Sequence, residues 1–167
     1  MVTKRTAIEA STLYDDNTLM GEDIKVTLPE ITNATADVSL MGTASIPLLG
    51  LIEDMEFTIS KQGVDKKATS LTRPCVHNIE VRWVQDTITG GGNVAQEGCK
   101  AYIKCIPKSI GPVGAEIEVG NTPEFDIPYE VLRYRLVVNG EEVLLVDRTS
   151  RILKVNGKDR IDYSKYL

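Results

Sequence analysis

The sequence predicts a mainly β chain: an antiparallel β-sandwich or barrel-like domain with one short helix and one long extended loop. Three observations predict it. Apolar residues recur at every second position in segment after segment, which is the period of a strand with one buried face. The segments are short and separated by Gly, Pro and Asn turn signals. Only Asp65 to Leu71 reads as a helix, with Asp65 near its start and Pro74 beyond its end. About eight strands joined this way imply a sandwich or barrel.

The totals fit one domain over residues 1–167. A chain of 167 residues buries roughly 70% of its unfolded surface. With 42% hydrophobic and 26% charged residues it is an ordinary globular composition, not a disordered one. The net charge of −5 argues against a general basic surface that grips nucleic acid. It leaves open a protein past which DNA slides. Three cysteines, Cys75, Cys99 and Cys105, cannot all pair within the chain, which points to a reducing cytosol during synthesis. No apolar stretch follows Met1–Arg5, so no signal peptide is expected. No apolar run is long enough for a membrane span.

In chain order, residues 1–7 are polar and expected as a terminal arm, mobile until covered. Ile8, Ala10, Thr12 and Tyr14 share a strand face, and Asp15-Asp16-Asn17 is a turn. Leu19 to Leu28 reads as the returning strand, stopped by Pro29. Residues 30–54 form a long connection with apolar content: Val38, Leu40, Met41, Ile46, Leu48 and Leu49. Two solutions fit these residues. One is an extended arm buried on a neighbouring subunit; the other is a hairpin folded onto its own core. Met55 to Lys61 is a strand ended by Gly63, and Cys75 to Ile88 is a long strand. Thr89 to Asn93 is a flexible turn, followed by strands at Gly98 to Ile106 and Ala115 to Val119. Asn121 to Pro128 is read as a connector because it holds two prolines. Leu132 to Val138, Asn139-Gly140 and Glu142 to Val146 form a tight hairpin, and Asn156-Gly157 marks a second one. Ile161 to Leu167 ends the chain as an apolar terminal arm expected to dock.

Catalytic patterns are scarce, so the chain is read as a non-enzyme with no cofactor or metal. His77 is the only histidine and reads as a structural or surface residue rather than a general base. The cysteines lack zinc-site spacing. There is no G-x-S-x-G, and Thr89-Gly90-Gly91-Gly92 lacks the Lys-Ser/Thr of a phosphate loop. The adjacent acids Asp15-Asp16, Glu53-Asp54 and Glu141-Glu142 would point to opposite faces of a strand, so spacing alone does not make them an acid–base pair.

Three segments carry a resemblance. Tyr134 to Arg160 runs strand, N-G, a strand ending in Asp147, then V-N-G-K-D-R. Leu19 to Ile31 reads L-M-G-E-D-I-K-V-T-L-P-E-I, and Gly42 to Ile59 reads G-T-A-S-I-P-L-L-G-L-I-E-D-M-E-F-T-I. In this order they resemble the major tail tube proteins of contractile-tailed bacteriophages and phage-tail-like bacteriocins. The resemblance implies a structural subunit with no catalytic role. It implies hexameric rings, joined edge to edge by their inner sheets and stacked into a tube. A sheath would lie outside and a tape-measure protein inside during assembly, with baseplate and tail-terminator proteins at the ends. DNA would make only transient, non-specific contact with the lumen. The implied location is the virion tail, after synthesis in the host bacterial cytoplasm.

The resemblance also favours residues 30–54 as an inter-subunit arm. Glu56, Thr58 and Ser60, Glu80 and Arg82, and Glu116 and Glu118 become candidates to line the lumen, since the wet face of a closed ring looks inward. Lys100 and Lys104 alternate on a strand too and weaken a uniformly acidic lining. Two alternatives stand beside this reading. One is the tube of another contractile injection system, such as type VI secretion, with protein cargo. The other is a monomeric β-sandwich binding module, for example for carbohydrate. The module expects exposed aromatics, whereas aromatics are 5% here with a single Trp83.

Overall fold

The computed structural model describes residues 2–112, 114–159 and 166–167. Most of the terminal arm expected at 161–167 lies outside the described residues. In chain order the strands are β1 (Thr3–Asp15), β2 (Thr18–Glu22), β3 (Lys25–Thr27), β4 (Asn33–Ser39), β5 (Thr43–Ile52) and β6 (Glu56–Gln62). The short helix α1 (Lys66–Ser70) follows. Then come β7 (His77–Thr89), β8 (Val94–Pro107), β9 (Glu124–Val138), β10 (Glu141–Asp147), β11 (Ile152–Val155) and β12 (Lys158–Asp159).

One antiparallel sheet runs β12-β11-β10-β9-β8-β7-β1-β2, and β6, flanked by β3, joins it along the first half of β9. Strand alternation puts apolar residues of successive strands in rows across its inner face. One row is Leu13, Val81, Ala101, Leu136 and Leu144; the next is Ile79, Ile103, Tyr134 and Val146. Phe57, Ile59, Ile127 and Tyr129 belong to the same buried cluster, so β6 and the start of β9 share one core with the long strands. The alternation along β9 breaks once: Val131 is buried and so is Tyr134. A register shift between Lys104 and Cys105 supplies the extra residue, as a bulge does.

Turn chemistry explains the connections. Asp16 and Asn17 have φ of 47 and 64°, and Asn139 and Gly140 have 50 and 82°. Positive φ at both central residues is what a tight twisted hairpin requires. Helix α1 is short and depends on its cap: the Asp65 carboxylate accepts from the Ala68 amide at 2.7 Å. That bond lowers the Asp65 pKa below its ordinary value. Asp65→Ala is expected to cost about 1 kcal/mol, read as a lower denaturation midpoint. A lowered folded pKa gives a contribution that is present above the ordinary carboxylate range. It is lost as pH falls through the lowered value.

Five expectations change. The N-terminal segment is not a free arm from Thr3 on, because Thr3, Lys4 and Arg5 pair with Thr89, Ile88 and Thr87 of β7. Register shifts between Arg5 and Ala10 also separate Ile8 from the face of Thr12 and Tyr14. Leu19 to Leu28 is two strands, because Asp23 at φ 51° redirects the chain from β1 to β6. Residues 30–54 hold a hairpin, β4–β5, that forms its own two-stranded sheet. Ala115 to Val119 is not a strand; it belongs to a loop between β8 and β9. Finally, β9 already begins at Glu124 and contains Pro128. The Pro128 carbonyl accepts from the Lys108 amide, just past the end of β8. The N–H that proline lacks would point to the same side, where β8 no longer runs, so the ladder loses little.

Candidate assembly surface

Three surfaces are left over once the core is built. The first is the outer face of the main sheet. Register places Tyr14, Glu80, Tyr102 and Arg135 in one row on it, with Thr12, Arg82, Lys100 and Val137 in the next. Arg82 and Arg135 are paired locally, whereas Lys100 and Lys104 have no ion pair among the described residues. Arg82 Nε donates to Glu80 at 2.6 Å, and its guanidinium lies 4.6 Å above the Tyr14 ring. Arg135 Nε donates to Glu142 at 2.5 Å and lies 5.4 Å from the Tyr102 ring centre. Between them is a concavity of about 440 Å³ reached by Lys100, Tyr102 and Val137.

Glu56, Thr58 and Ser60 occupy the same outer face further along, opposite Glu130, Pro128 and Asp126 of β9. Glu56 accepts from Lys108 Nζ at 2.8 Å, and Ser60 donates to Asp126 at 2.6 Å. Lys108 also reaches Glu130, which Arg148 holds at 2.8 Å. Ion pairs this exposed contribute little stability. The strands therefore bring five of the seven candidate lumen residues to one face. Glu116 and Glu118 are not among them, because the loop that carries them is not part of the sheet.

Sequence reasoning missed Tyr14, Tyr102 and Arg135 as members of this face. The signal was present: Arg133 and Arg135 alternate with Tyr134 and Leu136, which fixes the face they take.

The second surface is the β4–β5 hairpin. Val38, Leu40, Met41, Ile46 and Leu49 are exposed on it and Leu48 is half-buried. Met41, at the tip, has φ 42° and is fully exposed. Its base is tied to the body by Ile31 and Ile52, which pack against the core, and is closed by the Glu53 amide donating to the Thr32 carbonyl at 2.8 Å. A contiguous exposed apolar element of this kind marks an interaction site.

The third surface is an edge. β2 pairs with β1 only from Thr12 to Asp15. From Thr3 to Ala10 the outer edge of β1 has no partner strand among the described residues, and each of these residues is exposed.

The family described as Phage tail tube protein FII matches residues 5–165, nearly the whole chain. The chain belongs to this family. Membership in the FII family makes it a tail tube protein and a structural subunit. No curated protein matches the chain. Two solved structures show weak likeness. One is the PVC sheath–tube complex of an extracellular contractile injection system in its extended state. It has TM-score 0.48 and 11% identity, covering 76% of this chain and 87% of that one. The other is the sheath/tube terminator of the same kind of system, with TM-score 0.47 and 10% identity, covering 76% and 92%.

Within this FII-family chain, His77 has a structural position. It is fully buried at the start of β7, with the Asp15 carboxylate and the Arg73 carbonyl each within hydrogen-bond distance of a ring nitrogen. Among the described residues no group of three His, Cys, Asp or Glu side chains gathers as a metal site.

Proposed function

We propose that the chain is the inner tube subunit of a contractile phage tail or phage-tail-like particle, and that six copies close each ring of a stacked tube. The observation that carries this reading is the division of surfaces: an apolar hairpin and an unpaired strand edge leave the body, while the outer sheet face is polar and mixed in charge. The hairpin is suited to cross to a neighbouring subunit. The β1 edge is suited to continue the sheet into the next subunit, since an unpaired edge offers its backbone groups to another strand.

The outer face, with Glu56, Thr58, Ser60, Glu80 and Arg82, would then line the lumen. Arg82 and Arg135 are each occupied by a carboxylate and a tyrosine ring, and Arg133 stands 3.8 Å from Asp147. A passing duplex meets a lining of mixed sign, in which acids stand beside the cations Lys100 and Lys104, so its contact is transient and non-specific. Sheath outside, tape-measure protein inside during assembly, and baseplate and terminator at the ends are the partners this reading gives. The site of action is the virion tail.

Electron microscopy of the purified chain at high concentration, alone and with tape-measure and baseplate proteins, tests the reading. Rings or tubes with a central channel are expected; uniform small particles under every condition would sink it. Ile8→Lys places a charge on the β1 edge, where charge blocks strand addition. It is expected to cut the yield of rings and tubes several-fold, with an unchanged melting midpoint.

A further inference from the structure

The His77 ring faces two acceptors. Nδ1 lies 2.8 Å from Asp15 Oδ2 and Nε2 lies 2.9 Å from the Arg73 carbonyl oxygen. A neutral imidazole carries one N–H. Serving both acceptors takes the doubly protonated ring, and a neutral ring would turn a lone pair towards a buried oxygen.

β1 supplies Asp15, whose side chain is 4% exposed. Its second oxygen, Oδ1, is buried without a hydrogen-bond partner among the described residues. The α1–β7 link supplies Arg73, whose guanidinium opposes the charge, and Cys75, whose sulfur lies 3.7 Å from Nε2. β8 supplies Cys105, whose thiol donates to the His77 carbonyl. β9 supplies Tyr129, its ring edge-on at 6.1 Å. Asp15 is thus the one counter-ion. Its hydrogen bond raises the His77 pKa above the ordinary value; burial opposes the rise and the Arg73 carbonyl adds to it.

What the ring holds is the link from α1 to β7. The Leu71 carbonyl accepts from the Tyr129 hydroxyl, and the Thr72 hydroxyl accepts from the Gly111 amide at 3.0 Å. Gly111 lies in the loop between β8 and β9, which exposes Ile110, Ile117 and Val119. The contacts form a chain from Asp15 through His77 and the link to that apolar loop.

We propose that His77 is a proton-dependent clasp: in its imidazolium form it fixes the 71–76 link and the β8–β9 loop that rests on it, and on losing the ring proton it releases both. A group with a raised folded pKa stabilises fully below its unfolded value. That contribution is lost as pH rises through the folded value. The clasp is therefore closed at mildly acid pH and opens on the alkaline side of the ordinary histidine value of about 6.5. This inference does not depend on the tube reading.

His77 is the only histidine, so its ring ¹⁵N signals are unambiguous. The experiment is an NMR pH titration of the full chain, in solution for free subunits or by magic-angle spinning for assembled ones. Expected are two protonated ring nitrogens at acid pH and a midpoint above about 6.5. The Thr72, Arg73 and Gly111 amide signals should move with that same midpoint. A ring that titrates at or below about 6.5, or amides that stay still while the ring titrates, would overturn the proposal. In Asp15→Asn the midpoint is expected to drop to about 6.5 or lower; a midpoint left where the wild type has it removes Asp15 as the counter-ion. The wild-type titration decides even where that variant fails to fold.

Discussion

Truncating Tyr129 to alanine is expected to destabilise the fold by about 3–5 kcal/mol. Tyr129 is fully buried on β9, with its ring 5.9 Å from Phe57 and 6.1 Å from His77. Its hydroxyl donates to the Leu71 carbonyl at 2.5 Å. Removing the ring leaves a cavity between β6, β7 and the α1–β7 link, and strands on a shared ladder close in only partly. A chain of this size loses about 2–4 °C in melting temperature per kcal/mol. The expected drop is therefore about 6–20 °C, measured by calorimetry. Tyr129→Phe keeps the ring and loses only the hydroxyl, so it is expected to cost about 1 kcal/mol. If both variants melt alike, the ring is not the part that matters.

Replacing residues 34–51 with Asn-Gly is expected to abolish stacked tubes and leave a folded subunit. The Asn33–Ile52 pair at the base of the hairpin is retained, and so are the core contacts of Ile31 and Ile52. The excised strands pair only with each other, so their loss breaks no ladder of the main sheet. Melting is expected within a few degrees of the wild type. In sedimentation and microscopy the variant should appear as subunits or isolated rings. Met41→Asp is the milder form of the same change, since the tip side chain touches nothing in its own subunit that its exposure reveals. Normal tubes from the excised variant would show that the hairpin does not join subunits.

The sequence made the strands legible where one face is core and the other is water. Phe57 and Ile59 against Thr58 and Ser60, and Ile79 and Val81 against Asn78 and Glu80, state their own faces. The Asn-Gly turns were equally readable, because few residue pairs accept positive φ twice. The cap at Asp65 marked the helix. What failed has common physical causes. Thr3 to Ala10 is exposed on both faces, so no alternation announces its strand. Asp23 turns the chain just before the alternation of Ile24, Val26 and Leu28, and a single left-handed residue leaves no periodic trace. Glu116 and Glu118 alternate with Ile117 and Val119 as a strand would, yet both apolar residues are exposed, so alternation alone does not supply a partner strand. The candidate lumen face was half visible, because pairing across strands decides which residues become neighbours, and register is not written in any one strand.

β9 has a mechanical consequence. Its first half is laddered to β6, and its second half lies between β8 and β10. The two parts of the body are thus spliced by one strand of 15 residues, which carries a single bulge where they meet. A load along that strand meets its neighbours in shear, so ladder bonds on both flanks resist together instead of peeling apart in turn. A subunit pushed from one end transmits the push through a covalent strut, and any bending has to be taken up between subunits, where the hairpins and edges are.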